Sequence, residues 1–197
     1  MRLHLLAAAL VAAVSAAPPA AAGDAAHGQA LAEERGCGTC HGADGRSATP
    51  NIPSLAGQPA DFITLQMILF RERLRDAPPM PDMAQGLAEE QLEDLAAFFA
   101  GLPPGPAEDR SARDDALVAR GRALSPRLNC GVCHLPDYRG REQIPRLAGQ
   151  REDYLLHTLR EYRDGKRVGT DTSMNAVVYA VPDADFEALA HYLAHVP

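Results

Sequence analysis

The sequence predicts an all-α protein built from two tandem copies of one small helical unit. Apolar residues recur at helical spacing in several stretches, and none shows the alternation of a half-buried strand. The second half also repeats the first. Gly28-Gln29-Ala30-Leu31 matches Gly121-Arg122-Ala123-Leu124 at an offset of 93, and Ile52-Pro53-Ser54-Leu55-Ala56-Gly57-Gln58 matches Ile144-Pro145-Arg146-Leu147-Ala148-Gly149-Gln150 at 92. Leu95, Phe98 and Pro103 match Leu189, Tyr192 and Pro197 at 94.

The elements follow in chain order. Met1-Arg2, the apolar run Leu3 to Ala17 and the ending Ala20-Ala21-Ala22 have the parts of a secretory signal peptide over residues 1–22. The apolar run is shorter than the ~20 residues that a spanning helix needs, so the mature chain is expected to be exported. Asp24 can cap a helix running to about Glu34. Ile63, Met67, Phe70 and Leu74 predict a second helix over 61–75, echoed by Leu155, Leu159 and Tyr162. Leu92, Leu95, Phe98 and Leu102 predict a third over about 88–101, echoed by Phe186, Leu189, Tyr192 and Val196, with Pro182 in the first turn of that echo. The segment Pro103-Pro104-Gly105-Pro106 cannot continue a helix. The expected domains are therefore 23–103 and 115–197, joined by a linker at 104–114.

Each unit has roughly 80 residues, a size at which a purely protein core is marginal. Acidic residues outnumber basic ones 26 to 19, which excludes the basic surface that nucleic-acid binding draws on. The imbalance is uneven: residues 23–103 carry 12 acidic and 5 basic side chains, net −7, and residues 104–197 carry 14 and 13, net −1. The first unit should present the more negative surface, suited to orientation against a basic partner.

The four cysteines stand in Cys37-Gly38-Thr39-Cys40-His41 and Cys130-Gly131-Val132-Cys133-His134. This C-x-x-C-H spacing matches covalent attachment of haem c, with two thiols one helical turn apart for the vinyl groups and the adjacent histidine for the iron. A redox dithiol would need a βαβ context, and a zinc site built from all four thiolates would leave both histidines unexplained.

The second axial ligand decides between an electron carrier and a haem open to small molecules. Met67 aligns with Leu159 inside an apolar stripe, and Met83 with Val177, which cannot coordinate. Met80 and Met174 correspond to each other, 39 and 40 residues after His41 and His134, and are the expected distal ligands, with Met83 as the alternative in the first unit. Arg46, Arg139 and Arg141 are candidates for pairing with haem propionates. His157, His191 and His195 have no counterparts in the repeat and are read as surface residues.

Two C-x-x-C-H units, each with I-P-x-L-A-G-Q before its middle helix and a methionine before its last, resemble the class I dihaem cytochromes c, and the cytochrome c4 family in particular. The resemblance covers essentially the whole mature chain. It implies two tandem class I cytochrome c domains, each a small helical fold around one covalent haem c, with the Pro53 and Pro145 carbonyls accepting from His41 and His134. It also implies close crossings of the first and last helices at Gly28 and Gly121. After His134 the second unit reads Leu135-Pro136-Asp137-Tyr138, without the glycine that follows His41, which departs from the pattern.

With both axial positions filled, the expected role is a periplasmic single-electron carrier rather than an enzyme, working between redox partners such as a quinol-oxidising complex and a terminal oxidase. The rival is a dihaem subunit of an enzyme complex, such as the cytochrome partner of a flavoprotein sulfide dehydrogenase. A large exposed apolar patch away from the haem edges would favour the subunit. Peripheral membrane association is left open.

Overall fold

The computed structural model describes residues 23–107, 109–167 and 172–197, so the expected signal peptide lies outside the described residues. Its helices are α1 (Ala25–Glu34), α2 (Gly38–His41), α3 (Ala60–Arg71), α4 (Met80–Ala84), α5 (Glu89–Gly101), α6 (Asp115–Arg127), α7 (Cys130–His134), α8 (Glu152–Arg163), α9 (Ser173–Val178) and α10 (Asp183–Ala194). Among the described residues there is no strand, only an isolated bridge between Arg141 and Ile144. None of the described helices is long and apolar enough to cross a membrane.

The two helices that open the units start for the same reason. Asp24 accepts from the Ala26 and His27 N–H groups at 2.9 and 3.2 Å, and Asp114 accepts from Ala116 and Leu117 at 2.8 and 3.1 Å. Each side chain satisfies donors that have no partner inside the helix. Ala88, before α5, has no capping side chain, and its N–H is taken by Gln91 Oε1 at 2.9 Å. Pro182 sits one residue before α10, at the N-cap rather than in the first turn.

Within each unit the first and last helices cross, α1 on α5 and α6 on α10. The crossings are closed by glycine. A Cβ on Gly28 would stand 1.9 Å from the Asp94 carbonyl oxygen, and one on Gly121 2.2 Å from that of Ala188. The first core gathers Leu31, Ile63, Leu87, Leu92, Leu95 and Phe99, with Met67 packed against it as expected of a core filler. The second unit carries two smaller clusters, one around Tyr138, Leu155 and Leu193 and one around Val178, Phe186 and Leu189.

Two further expectations are corrected. The second helix ends at Arg71 instead of 75: Arg73 takes a positive φ of 54°, Leu74 and Arg75 turn back to donate to the Leu69 carbonyl, and Leu74 is 63% exposed. His191 is not a surface residue but is 2% exposed. The Asp114 N–H donates to its Nε2 at 2.8 Å, so Nδ1 carries the proton and donates to Glu152 at 3.0 Å. His191 thereby ties the linker end to α8 and α10. His157 is exposed, as expected, and His195 is half-buried.

The units meet through their I-P-x-L-A-G-Q loops. The Ser54 N–H donates to Gln150 Oε1 at 2.8 Å and Gln150 Nε2 donates to the Ser54 carbonyl at 2.9 Å. Its repeat counterpart does the same in reverse: Arg146 N–H donates to Gln58 Oε1 and Gln58 Nε2 donates to the Arg146 carbonyl, both at 2.9 Å. Buried Arg151 adds a bond to the Ser47 carbonyl at 3.0 Å and pairs with Asp109 at 2.5 Å and Asp153 at 2.8 Å.

Candidate functional site

Each C-x-x-C-H motif folds as a single helical turn, which needs only local bonds. His41 N–H donates to the Cys37 carbonyl at 3.0 Å, and Gly42 N–H to that of Gly38 at 3.0 Å. The turn places both cysteines and the histidine on one short element, α2 or α7. None of the four cysteines is paired in a disulfide, and Cys133 is exposed while the others are half-buried. Burial pushes the Cys37 and Cys130 thiols up. Among the described residues no cysteine belongs to a cluster able to hold a metal ion.

His41 and His134 are 7% and 6% exposed. A carbonyl can only accept, so the Nδ1–H of His41 donates to Pro53 O and that of His134 to Pro145 O, each at 2.9 Å. Both rings are fixed in the tautomer that leaves Nε2 with a free lone pair. Burial pulls both imidazoles down, and the carbonyl bond resists only in part, so they stand neutral, as an iron ligand must.

The backbone after the histidine shows how the second unit departs from the first. Gly42 has φ 83° and ψ 141°, and Leu135 takes the same turn at φ 68° and ψ 158°. That region is left-handed and strained for a side-chain-bearing residue. Tyr138, where the first unit has Gly45, also has a positive φ of 55° and is held by Ser125, whose hydroxyl lies 2.7 Å from the Tyr138 hydroxyl.

Met80 opens α4 and Met174 is the second residue of α9, both half-buried. These short helices pack against α3 and α8, so the two methionines occupy equivalent places in the units. Met174 also packs on the cluster of Val178, Phe186 and Leu189. Met83 lies one turn further along α4 and is half-buried too.

Arg46 pairs with Asp44 at 2.5 Å and Arg139 with Asp137 at 3.6 Å, both near the surface, and Arg141 is exposed. Sequence reasoning missed Arg75 and Arg167, which the repeat relates at an offset of 92. Each follows the end of its long helix and folds back over an aromatic ring of it, Arg75 4.7 Å from the Phe70 centroid and Arg167 5.0 Å from that of Tyr162. They converge on Tyr154. Burial alone would raise that phenol, but Arg167 and Arg75 outweigh it and bring it down to about 7. Among the described residues neither arginine is in an ion pair with a carboxylate, so the interface holds a buried concentration of positive charge suited to an anion.

The "Cytochrome c" family model matches residues 25–103 and again residues 118–197. The cytochrome c4 of Pseudomonas aeruginosa is 34% identical over 180 residues, covering 88% of this chain and 89% of that protein. The chain belongs to the cytochrome c4 family. The crystal structure of reduced recombinant cytochrome c4 from Pseudomonas stutzeri superposes with a TM-score of 0.80 at 31% identity, covering 89% of this chain and all of that one. The thiosulfate dehydrogenase TsdBA from Marichromatium purpuratum matches with a TM-score of 0.75 at 32% identity, over 87% of this chain and 40% of that one. The expected all-α fold of two tandem cytochrome c domains therefore holds. As a member of a dihaem family with two cytochrome c domains, the chain is an electron-transfer cytochrome, a carrier and not an enzyme.

Proposed function

We propose that the mature chain is a periplasmic carrier relaying single electrons between respiratory-chain partners, through two haems closed on both axial sides. The observation that carries this reading is the pair of buried histidines, each closing a turn that holds two cysteines outside any disulfide and each with Nδ1 engaged by a proline carbonyl. Cys37 and Cys40, and Cys130 and Cys133, would hold the two porphyrins as thioethers, and His41 and His134 would present Nε2 to the iron. Met80 and Met174 would fill the opposite positions, and Arg75 and Arg167 would face the propionates. When bound, haem iron supplies one-electron chemistry by cycling between ferrous and ferric states, and a thioether ligand raises its potential.

The chain's own residues do the rest. The Pro53 and Pro145 carbonyls fix the imidazole orientation and basicity, and the apolar clusters exclude water. Domains 23–103 and 115–197, joined at 104–114, would each enclose one haem. Of the exposed large apolar residues, Val132 lies inside the second C-x-x-C-H and Val177 and Tyr179 on the segment that carries Met174. They support a docking side on the segments that would hold the second haem, as a carrier requires.

The test is spectroscopy of the purified holoprotein. The oxidised near-infrared band of sulfur ligation should be present, and Met80→Ala and Met174→Ala should each remove about half of it. Loss on Met83→Ala instead, or ready addition of carbon monoxide to the ferrous wild type, would overturn the ligand assignment.

A second reading is favoured by the likeness to TsdBA, of which this chain spans 40%. In that reading the chain accepts electrons from a sulfur-oxidising enzyme. Co-purification of a catalytic subunit with the native protein would select it over the free carrier.

A further inference from the structure

The two glutamines at the contact between the units reach an amide that matters to the haem sites. His41 donates to the Pro53 carbonyl, and the N–H of that same peptide group belongs to Ser54, which donates to Gln150 Oε1 at 2.8 Å. In the other direction His134 donates to the Pro145 carbonyl, and the N–H of that peptide belongs to Arg146, which donates to Gln58 Oε1 at 2.9 Å. Each proximal histidine is therefore the first member of a chain of hydrogen bonds whose last member is a side chain of the other unit. Gln58 and Gln150 are each 5% exposed, so these bonds work away from bulk water. Gln150 Oε1 is further steadied by the Arg151 N–H at 2.9 Å.

We propose that Gln58 and Gln150 are positioning residues acting in trans, each setting the strength of the proximal histidine bond, and with it the haem potential, of the opposite unit. The inference rests on the histidine ligation proposed above. An amide whose N–H donates to a good acceptor carries more negative charge on its oxygen, because successive hydrogen bonds polarise one another. Gln150 thus makes Pro53 O a stronger acceptor. His41 then gains imidazolate character, and a more basic ligand favours the ferric state. Gln58 does the same for His134. The Nε2 donations to the Ser54 and Arg146 carbonyls hold each segment in place while this happens.

The test replaces each glutamine by an apolar side chain of similar length, Gln150→Met and Gln58→Met, in the full-length holoprotein. Each haem is followed separately by its methyl resonances during a redox titration by nuclear magnetic resonance. Gln150→Met should raise the potential of the haem at His41 and leave the haem at His134 near its wild-type value, and Gln58→Met should do the opposite. Because one polarising bond strengthens its neighbour by about 10–30%, and the neighbour is a charge-assisted bond, the ferrous-to-ferric ratio at fixed potential should rise about 1.3- to 4.5-fold. At 59 mV per decade for one electron that is about 7–40 mV.

The crossed pattern is the decisive readout, because a merely structural role would disturb the unit that carries the substitution or both haems alike. A same-unit shift, equal shifts, or no shift from either variant would overturn the proposal. Should one variant lose its fold, the other still predicts a shift confined to the opposite haem. Failure of the ligation reading looks different, since the wild type would then lack two one-electron waves and the sulfur band.

Discussion

Gly28→Ala is the smallest change that should open the first unit. The added methyl would lie 1.9 Å from the Asp94 carbonyl oxygen, 2.5 Å from its carbon and 3.0 Å from the Leu95 nitrogen. Real Cβ contacts essentially never fall under 3.0 Å, so α1 and α5 must separate by about 1.1 Å. All three obstructing atoms are helix backbone, which cannot swing aside as a side chain would. Overpacking costs about 1–3 kcal/mol where side chains can adjust, and this site belongs at or beyond the upper end. Alanine also returns about 1 kcal/mol of helix propensity. The net loss is therefore about 2 kcal/mol or more, and at about 4–8 °C per kcal/mol for a domain of this size the transition of the first unit should fall by at least about 8 °C. Differential scanning calorimetry of the holoprotein measures it. Gly101→Ala is the internal control: it lies in α5 as well, a Cβ there meets nothing within 4 Å, and it should leave the transition unchanged or raise it slightly. If Gly28→Ala melts as high as Gly101→Ala, the close crossing is not what holds this unit together.

Three further outcomes follow from the same geometry. Asp94 accepts from the Asp24 N–H and the His27 ring at 2.6 Å each, and the His27 bond, with the backbone bond, outweighs burial to hold its carboxyl below the usual range. A depressed carboxyl contributes stability that is present above about pH 4 and is lost as pH falls through the folded value; the melting gap between wild type and Asp94→Asn should therefore be full at neutral pH and close in acid. Leu135→Gly relieves a strained turn but loosens the unfolded chain, and since strain of about 1–3 kcal/mol exceeds the entropic cost of about 1 kcal/mol, denaturant unfolding of the second unit should move to higher concentration. His191→Ala leaves the Asp114 N–H without its acceptor and Glu152 with the Ser111 hydroxyl as its remaining donor, at a cost of about 1–3 kcal/mol that chemical denaturation would register in the second unit.

What was legible in the sequence was whatever is encoded locally or repeated. The C-x-x-C-H turns, the Asp24 cap and the long apolar stripes depend on residues within a few positions of each other, and the duplication displayed them twice. The end of α3 was misplaced because Leu74 continues the apolar stripe while Arg73 leaves the helix, and only packing arbitrates between them. The helices α4 and α9, five and six residues long, are too short for any periodicity to show. His191 stands where the first unit has Ala97, and its burial comes from the linker folding over it, a contact between residues 77 positions apart. The Arg75 and Arg167 pair was visible as a repeat, but its convergence on Tyr154 exists only once the units are docked. The same holds for the glutamines, whose partners lie 88 and 96 residues away.

Those paired glutamine contacts also say something about origin. The same patch serves as both halves of the junction, which is how a two-fold homodimer is built. A solitary unit bearing that loop would already be its own partner, and fusing two copies would only raise their local concentration, to about the millimolar range for a short tether. Once tethered, the copies no longer had to stay identical. Leu135, Tyr138 and His191, where the first unit has Gly42, Gly45 and Ala97, are differences that a tethered pair can hold in one copy without imposing them on its twin.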